Sequence, residues 1–482
     1  MKGLELFVDN TNTLLWSYVL IIMLISLGLY FSIKTRFVQF RYLGEMFRLL
    51  GDRTDKEEKS KGKVSSFQAF CISTASRVGT GNIAGIALAV VTGGAGAIFW
   101  MWLIAIIGSA SSFVESTLAQ IFKKKSDNGY IGGPAYYMEQ GLKNRTMGIV
   151  FAILITVSFG FIFNAVQANT VATAFSNSFG VDKTVIGIIL SILTAFVIFG
   201  GVHRVAKISE IIVPIFAGLY ILIAIFVIVT NLPLIPDVFK LIFESAFGLR
   251  EITMGTMGGM MLTGIKRGLF SNEAGMGSAP NASATAETSH PVKQGLIQTL
   301  GVFIDTLVIC SCTAFIILLL PSYQTTGLQG IELTQYALSY HIGPVGGIFV
   351  AIAVFLFAFS SIVGNYYYGE SNMKFCNISN KGLNVFRIIV VAMVMSGSLV
   401  QMSLVWNLAD LFMGLMAMMN LVAITLLSKY VFKALDDYTY QKKNGVKDPV
   451  FKASSIEGLE VECWNDEEDV YTNELAEEEI LY

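Results

Sequence analysis

Residues Ala75-Ser76-Arg77-Val78-Gly79-Thr80-Gly81-Asn82-Ile83-Ala84-Gly85 place glycines, hydroxyls, an amide and a guanidinium in the middle of a long apolar stretch. The glycines at 79, 81 and 85 are one residue too widely spaced for a dinucleotide fingerprint. Their flanks read as apolar helix, not strand–turn–helix, so phosphate cradling is excluded. In hydrocarbon a backbone leaves its helix only where it is buried in protein or lines a cavity. A helix broken here would free carbonyls for a cation and turn a half-helix N-terminus toward an anionic group. Close helix packing through small residues is the alternative this motif leaves open.

A second glycine-rich stretch, Thr253-Met254-Gly255-Thr256-Met257-Gly258-Gly259, falls in another apolar segment five helices later. Two such interruptions, each opening a five-helix half, are the expected mark of inverted repeats around a site at mid-membrane. The elements that must hold them are membrane helices. Of 482 residues, 54% are hydrophobic and only 14% charged, against roughly 25% charged in soluble domains. Eleven apolar spans are expected, at about 14–33, 66–91, 97–121, 149–177, 184–201, 209–231, 250–266, 296–320, 346–368, 384–402 and 406–432.

Charge sets the orientation. With the N-terminus outside, nearly all of the 33 Lys and Arg fall in inside loops; Lys2, Lys183, Lys240 and Arg250 fall outside, and Arg77 within a span. An even number of spans would break that bias. The first span, 14–33, has no small-residue cleavage motif after it and is followed by a basic cluster, so it reads as a retained helix. The expected division is an extra N-terminal helix within 1–33, a cytoplasmic basic loop at 34–63 and a ten-helix core at 64–432. Its halves would be about 64–231 and 249–432. A cytoplasmic tail at 433–482 follows, with eleven acidic and no basic residues after Lys452, expected to be solvated. A net charge of −2 gives no case for nucleic acid, and five scattered cysteines form no disulfide framework.

The run Val78 to Asn82, Gly93-Gly94-Ala95-Gly96-Ala97 and Glu115 resembles the first core helices of sodium-coupled transporters of the LeuT fold. More specifically, three segments resemble the alanine or glycine:cation symporter family (AgcS-like): Phe67-Gln68-Ala69-Phe70-Cys71, Gly129 to Met138, and Gly268-Leu269-Phe270-Ser271-Asn272-Glu273-Ala274-Gly275-Met276-Gly277-Ser278-Ala279-Pro280. The likeness spans about 14–432. It implies an all-α membrane protein with a 5+5 inverted repeat after one extra helix, sodium or sometimes proton coupling, and alanine or glycine as substrate. By position, it implies sodium ligands at Asn82 and Thr253 (or Thr256) for one site. For a second it implies the carbonyls of Ala75 and Val78 with Ser360 and Ser361.

Sodium favours hard oxygen ligands, which these residues supply. The substrate carboxylate is expected on the N–H groups around Gly79, Thr80 and Gly81, and its ammonium on carbonyls near Thr253 to Gly255. Asn164 and Gln167 would line the same cavity. Interhelical hydrogen bonding explains those two amides equally well.

Glu115, Asp305 and Asp410 are ionisable groups at membrane depth. Each costs roughly 2.5–3.5 kcal/mol on insertion scales unless paired, so a gating or paired role is expected. Asp410 falls near the outer end of the last span. No Arg follows Asn82, where the fold's usual gate partner stands, so no gate salt bridge is expected. Lys266, Arg267 and Glu273 are expected at the cytoplasmic end of the seventh span. No nucleophile–base pair, metal-ligand spacing or Walker sequence is present, so an enzyme is not expected. A passive channel is the remaining rival, since broken helices also build selectivity filters.

Overall fold

The computed structural model describes residues 2–51, 64–126, 129–199, 202–248, 257–321 and 323–464. The architecture is all-helical apart from one hairpin. Helix α1 spans Leu6–Lys34 and is followed by the amphipathic α2, Leu43–Gly51. The chain then enters α3, Ser66–Arg77, whose start carries a capping box between Ser65 and Gln68. Helix resumes at α4, Gly81–Gly93, and continues in α5, Gly96–Ile121. The hairpin of β1, Lys124–Ser126, and β2, Gly129–Ile131, leads on.

Next come α6, Arg145–Phe179, α7, Lys183–Ile198, and α8, Val202–Thr230. Helix α9, Ile235–Ala246, turns sharply away from α8. The second half holds α10, Met257–Asn272, the short α11, Ala279–Ser283, and α12, Pro291–Leu318. It closes with α13, Gly330–Ile342, α14, Val345–Phe375, α15, Asn380–Gly397, and α16, Met402–Lys443.

Six of these helices are long and apolar enough to cross a membrane, or seven with the bent pair counted as one. Their outward faces carry exposed apolar side chains, as on α1 (Ile22, Leu29, Ile33), where lipid tails replace water. Helices α1 and α16 lie side by side and parallel. Asn12 and Asn407 meet at one end (2.9 Å), Tyr30 and Phe432 further along, and Tyr42 and Thr439 beyond (2.9 Å).

Two chain interruptions sit in the middle of this bundle. The first lies between α3 and α4, where Val78 is extended (φ −77°, ψ 91°). The second runs from Glu273 to Ser278, with positive φ at Glu273 (58°), Gly275 (81°) and Gly277 (86°). This break lies C-terminal to the one expected at 253–259. Met257 to Gly259 lie in the first turn of α10, and Thr253 to Thr256 lie outside the described residues. The span was ended too early because Lys266-Arg267 reads as a cytoplasmic anchor. In the fold α10 carries that pair through its middle, since Arg267 is neutralised by Asp410.

The segment 433–482 also departs from a solvated tail. Helix α16 runs on to Lys443, and residues 446–464 pack back on the bundle. Phe451 donates to the Ser289 carbonyl (2.9 Å), and Trp464 donates through Nε1 to Gln120 (2.9 Å); residues 465–482 lie outside the described ones. At the same end Glu45 on α2 ties that helix to α16, accepting from Arg48 (2.8 Å), Tyr438 (2.6 Å) and Lys442 (3.1 Å).

Burial alone pushes the Glu45 carboxyl up, but the hydrogen bonds from Arg48, Tyr438 and Lys442 outweigh it and hold its pKa at about 2, below the ordinary 4.5. A depressed folded value means the docking is strongest above about pH 4.5 and is lost as pH falls toward 2. Glu45→Gln is therefore expected to raise amide exchange across residues 43–51 at neutral pH, while the native protein stays protected down to about pH 4.5. Equal protection in both would remove this role from the carboxylate.

Candidate functional site

The two interruptions face each other: α4 packs on α10 and α3 on α11. Each leaves backbone groups without their i→i−4 partners, and buried groups must find others. At the first break Gly79 N–H donates to Asn82 Oδ1 (3.0 Å) and Thr80 N–H to Gln167 Oε1 (3.1 Å). At the second, Gly275 and Gly277 N–H groups donate to the two oxygens of Glu115, 3.0 Å each, and Asn420 Nδ2 adds a third donor at 2.7 Å. Glu115 thus splints the broken backbone between α10 and α11. That is a structural use of a group expected in gating.

Asp305, also expected in gating, belongs to the first break. Asn82 Nδ2 donates to its Oδ1 (2.6 Å), while Ser271 and Thr306 hydroxyls donate to Oδ2 (2.7 and 3.0 Å). Asn82 Nδ2 and the Asp305 carboxylate therefore meet at one buried point between α4, α10 and α12, while Asn82 Oδ1 accepts from the Gly79 N–H.

Of the residues expected at a second cation site, Ala75, Val78 and Ser361 come together. Ser361 Oγ lies 2.8 Å from the Ala75 carbonyl and 3.4 Å from that of Val78. Both serines also reach the Phe357 carbonyl of their own helix, Ser360 at 2.8 Å and Ser361 at 3.0 Å. Three oxygens converge where α14 crosses the end of α3, a donor set suited to a hard monovalent cation. Gly79, Thr80, Gly81 and Asn82 form the floor beside them, all buried, and the Thr80 hydroxyl has no hydrogen-bond partner among the described residues. Gln167 joins this floor. Asn164 does not; it bonds Asn365 on α14 (3.1 Å) one layer away. Thr253, Gly255 and Thr256 lie outside the described residues.

Asp410 shows the largest departure from expectation. It forms a buried ion pair with Arg267 on α10, with Lys266 at 3.7 Å. Arg267 also stacks over Trp406 (4.7 Å), which contacts Phe270, which in turn contacts Phe163. A salt bridge does close over the first break, supplied by the other interrupted helix and not by the residues after Asn82. Lys266 and Arg267 therefore stand at the end where α1 and α16 begin, opposite to their expected side. Composition showed one unpaired Asp and one Arg–Lys pair; only the packing of α10 on α16 joins them. Ser76, Asn365 and Asn420 were also missed, because single small polar residues in a span carry no periodic signal.

Two facing broken helices around buried oxygens define a secondary transporter, not an enzyme. The fold agrees. The structure of MhsT in complex with L-phenylalanine superposes with a TM-score of 0.55 at 15% identity, covering 74% of this chain and 88% of that one. A Na+-coupled sialic acid symporter gives 0.50 at 17% identity, covering 81% and 85%. These place the chain among LeuT-fold proteins.

The model of the sodium:alanine symporter family matches residues 1–453, and the chain belongs to that family. It is 57% identical over 462 residues to the probable sodium/glutamine symporter GlnT of Bacillus subtilis (strain 168), covering 96% of each. To the sodium/alanine symporter AgcS of Methanococcus maripaludis it is 37% identical over 448 residues, covering 91% of this chain and 98% of that one. The protein is a multi-pass membrane transporter.

Two outcomes are expected from the site's geometry. A Cβ at Gly79 would drive into the Ser361 hydroxyl and come within 3.0 Å of the Gln167 amide, so Gly79→Ala should abolish uptake in vesicles while leaving membrane insertion intact. Asp410→Asn leaves Arg267 buried without a counter-charge, a loss of about 3–5 kcal/mol, read as a lower melting temperature in detergent. Replacing both with apolar residues should restore most of it.

Proposed function

We propose that the protein couples sodium entry to uptake of a small neutral amino acid, alanine or glycine, by alternating access. The observation that carries this reading is the convergence of Ser361 Oγ with the Ala75 and Val78 carbonyls at the break of α3. Sodium there would hold α14 against α3. A second sodium takes Asn82 and Asp305, whose carboxylate offsets its charge. The substrate carboxylate takes the Thr80 N–H now held by Gln167, and the Arg267–Asp410 pair with Trp406 closes above it. A zwitterion carries no net charge, so the cation lets the membrane potential act. One charge across 100 mV is worth about 2.3 kcal/mol, or roughly fifty-fold accumulation.

Eleven crossings are proposed, with α1 outside a 5+5 repeat (64–231 and 249–432), the N-terminus outside the cell and the C-terminus in the cytoplasm. The parallel run of α1 beside α16 supports an odd number, since an odd count of spans must intervene. The positive-inside bias supports the orientation, with Lys266 and Arg267 now counted near the outer face. Glutamine is the second reading for substrate, favoured by the 57% identity to the protein named for it. A proton-coupled symporter is the alternative for the ion, and a passive channel is the remaining rival.

Radiolabelled alanine uptake into proteoliposomes tests the reading. Accumulation above equilibrium that requires an inward sodium gradient is expected, and equilibration without accumulation would indicate a channel. Competition by glycine and by glutamine separates the two substrates. Asn82→Ala and Ser361→Ala should each raise the sodium concentration for half-maximal uptake about tenfold or more, the loss of one charge-assisted contact. Unchanged sodium dependence in either would remove that residue from the site.

A further inference from the structure

Three carboxylates are buried at the two interruptions, and they differ in how many donors reach them. Glu115 receives three and Asp305 three. Among the described residues, the hydrogen-bond partners of the Glu273 carboxyl are hydroxyls: Ser278 Oγ donates to its Oε2 (2.5 Å), and Ser76 Oγ lies 2.8 Å from its Oε1. That Ser76 oxygen also lies 2.8 Å from Asn365 Oδ1. A serine carries one proton, so it cannot donate to both acceptors.

The far end of the chain decides which one receives it. The Gly160 carbonyl only accepts, so Asn164 presents Nδ2 to it (3.0 Å). Asn164 Oδ1 then accepts from Asn365 Nδ2 (3.1 Å), which leaves Asn365 Oδ1 facing Ser76. Turning both amides over would set Asn164 Oδ1 against the Gly160 carbonyl, oxygen on oxygen. Asn365 Oδ1 can be satisfied at this contact only by the Ser76 proton. The contact from Ser76 to Glu273 closes only if Glu273 Oε1 itself carries a proton and donates it.

The charged and titratable groups facing Glu273 leave this accounting unchanged. Arg77 on α3 donates through Nη1 to the Gln298 carbonyl (3.3 Å) and stands among all three carboxylates. Asp305 on α12 and Glu115 on α5 add negative charge. Tyr368 on α14 is buried near Glu273 and Ser76; a bond from its hydroxyl to Ser76 would not supply the missing proton between Ser76 and Glu273.

We propose that Glu273 is a proton-binding site of the transport cycle. It is protonated in this closed arrangement, where the relay Glu273–Ser76–Asn365–Asn164 joins the second break to α3, α14 and α6. When residues 273–278 swing away from Ser76 to open a path, the O–H bond breaks and the proton leaves to water on that side. It is regained from the other side on return. The cycle then carries a proton along with the amino acid and sodium, which rests on the symport reading above.

Glutamine at 273 mimics the protonated acid, because Nε2 can donate to Ser76 while Oε1 accepts from Ser278. The test measures alanine binding to the purified protein from pH 5.5 to 9.5 at fixed sodium, for native protein and Glu273→Gln. The same native vesicles report lumenal pH through trapped pyranine during sodium-driven uptake. The expected native apparent Kd rises about tenfold per pH unit above the pH at which Glu273 ionises in the free carrier. Glu273→Gln should bind with a flat profile and lose net uptake, and alanine entry into native vesicles should acidify the lumen.

A flat native profile, an equal slope in Glu273→Gln, or entry without acidification would each overturn the proposal. If Glu273→Gln does not fold, Ser76→Ala serves instead: losing the acceptor should shift the native slope to lower pH, and an unshifted slope overturns it. Sodium dependence is read in the same vesicles, so failure of the sodium reading and failure of the proton reading are separate results.

Discussion

The structure depends on one constraint: two helices are interrupted where no water can hydrogen-bond the freed backbone. Each unsatisfied group there costs several kcal/mol. Much of the buried polar chemistry around the breaks answers that cost. Glu115 takes up two N–H groups of the second break, and Asn420 stitches its amide to both that carboxylate and the Gly275 carbonyl. Asn82 and Gln167 do the same for the first break with neutral amides. The asymmetry has a functional sense. A carboxylate splint is strong and permanent, whereas an amide can yield its N–H to a substrate carboxylate.

Charge balance follows from the same geometry. Arg77 sits buried, its Nε and Nη2 without a hydrogen-bond partner among the described residues, in electrostatic reach of Glu115, Glu273 and Asp305. Even with Glu273 protonated, one guanidinium does not neutralise both Glu115 and Asp305. The excess negative charge makes the centre of the bundle a place where cations are stabilised, and a zwitterion alone would leave it uncompensated. Arg267 meets a different fate, paired with Asp410 and stacked on Trp406. Pairing with stacking keeps that charge tolerable between apolar helices.

Several parts of the site were legible in the chain because they are local. The run 75–85 offers a helix break by composition, and the Ser360-Ser361 pair stands where the family resemblance implies cation ligands. Even there, helical phase decides: both hydroxyls reach the Phe357 carbonyl of their own helix, and Ser361 also reaches Ala75. The second break was harder to see. Glycines at 255, 258 and 259 are more conspicuous than those at 275 and 277, yet a glycine cluster tolerates a break without requiring one. What forces the break at 273–278 is the set of partners that rewards it, and Glu115 and Asn420 lie far away in sequence.

By itself the sequence determined that this is a membrane bundle, marked 75–85 as a candidate helix break, and showed which stretches carry the family resemblance. These are consequences of composition and of short-range backbone preference, which act within a few residues. Only the tertiary structure decided that Asp410 meets Arg267, that Glu115 is a splint, that Asp305 belongs with Asn82, and that the chain to Trp464 docks back on the bundle. Pairings of that kind depend on which helix faces cross at mid-membrane. In a chain where nearly every span is apolar all round, no hydrophobic periodicity records which face looks inward.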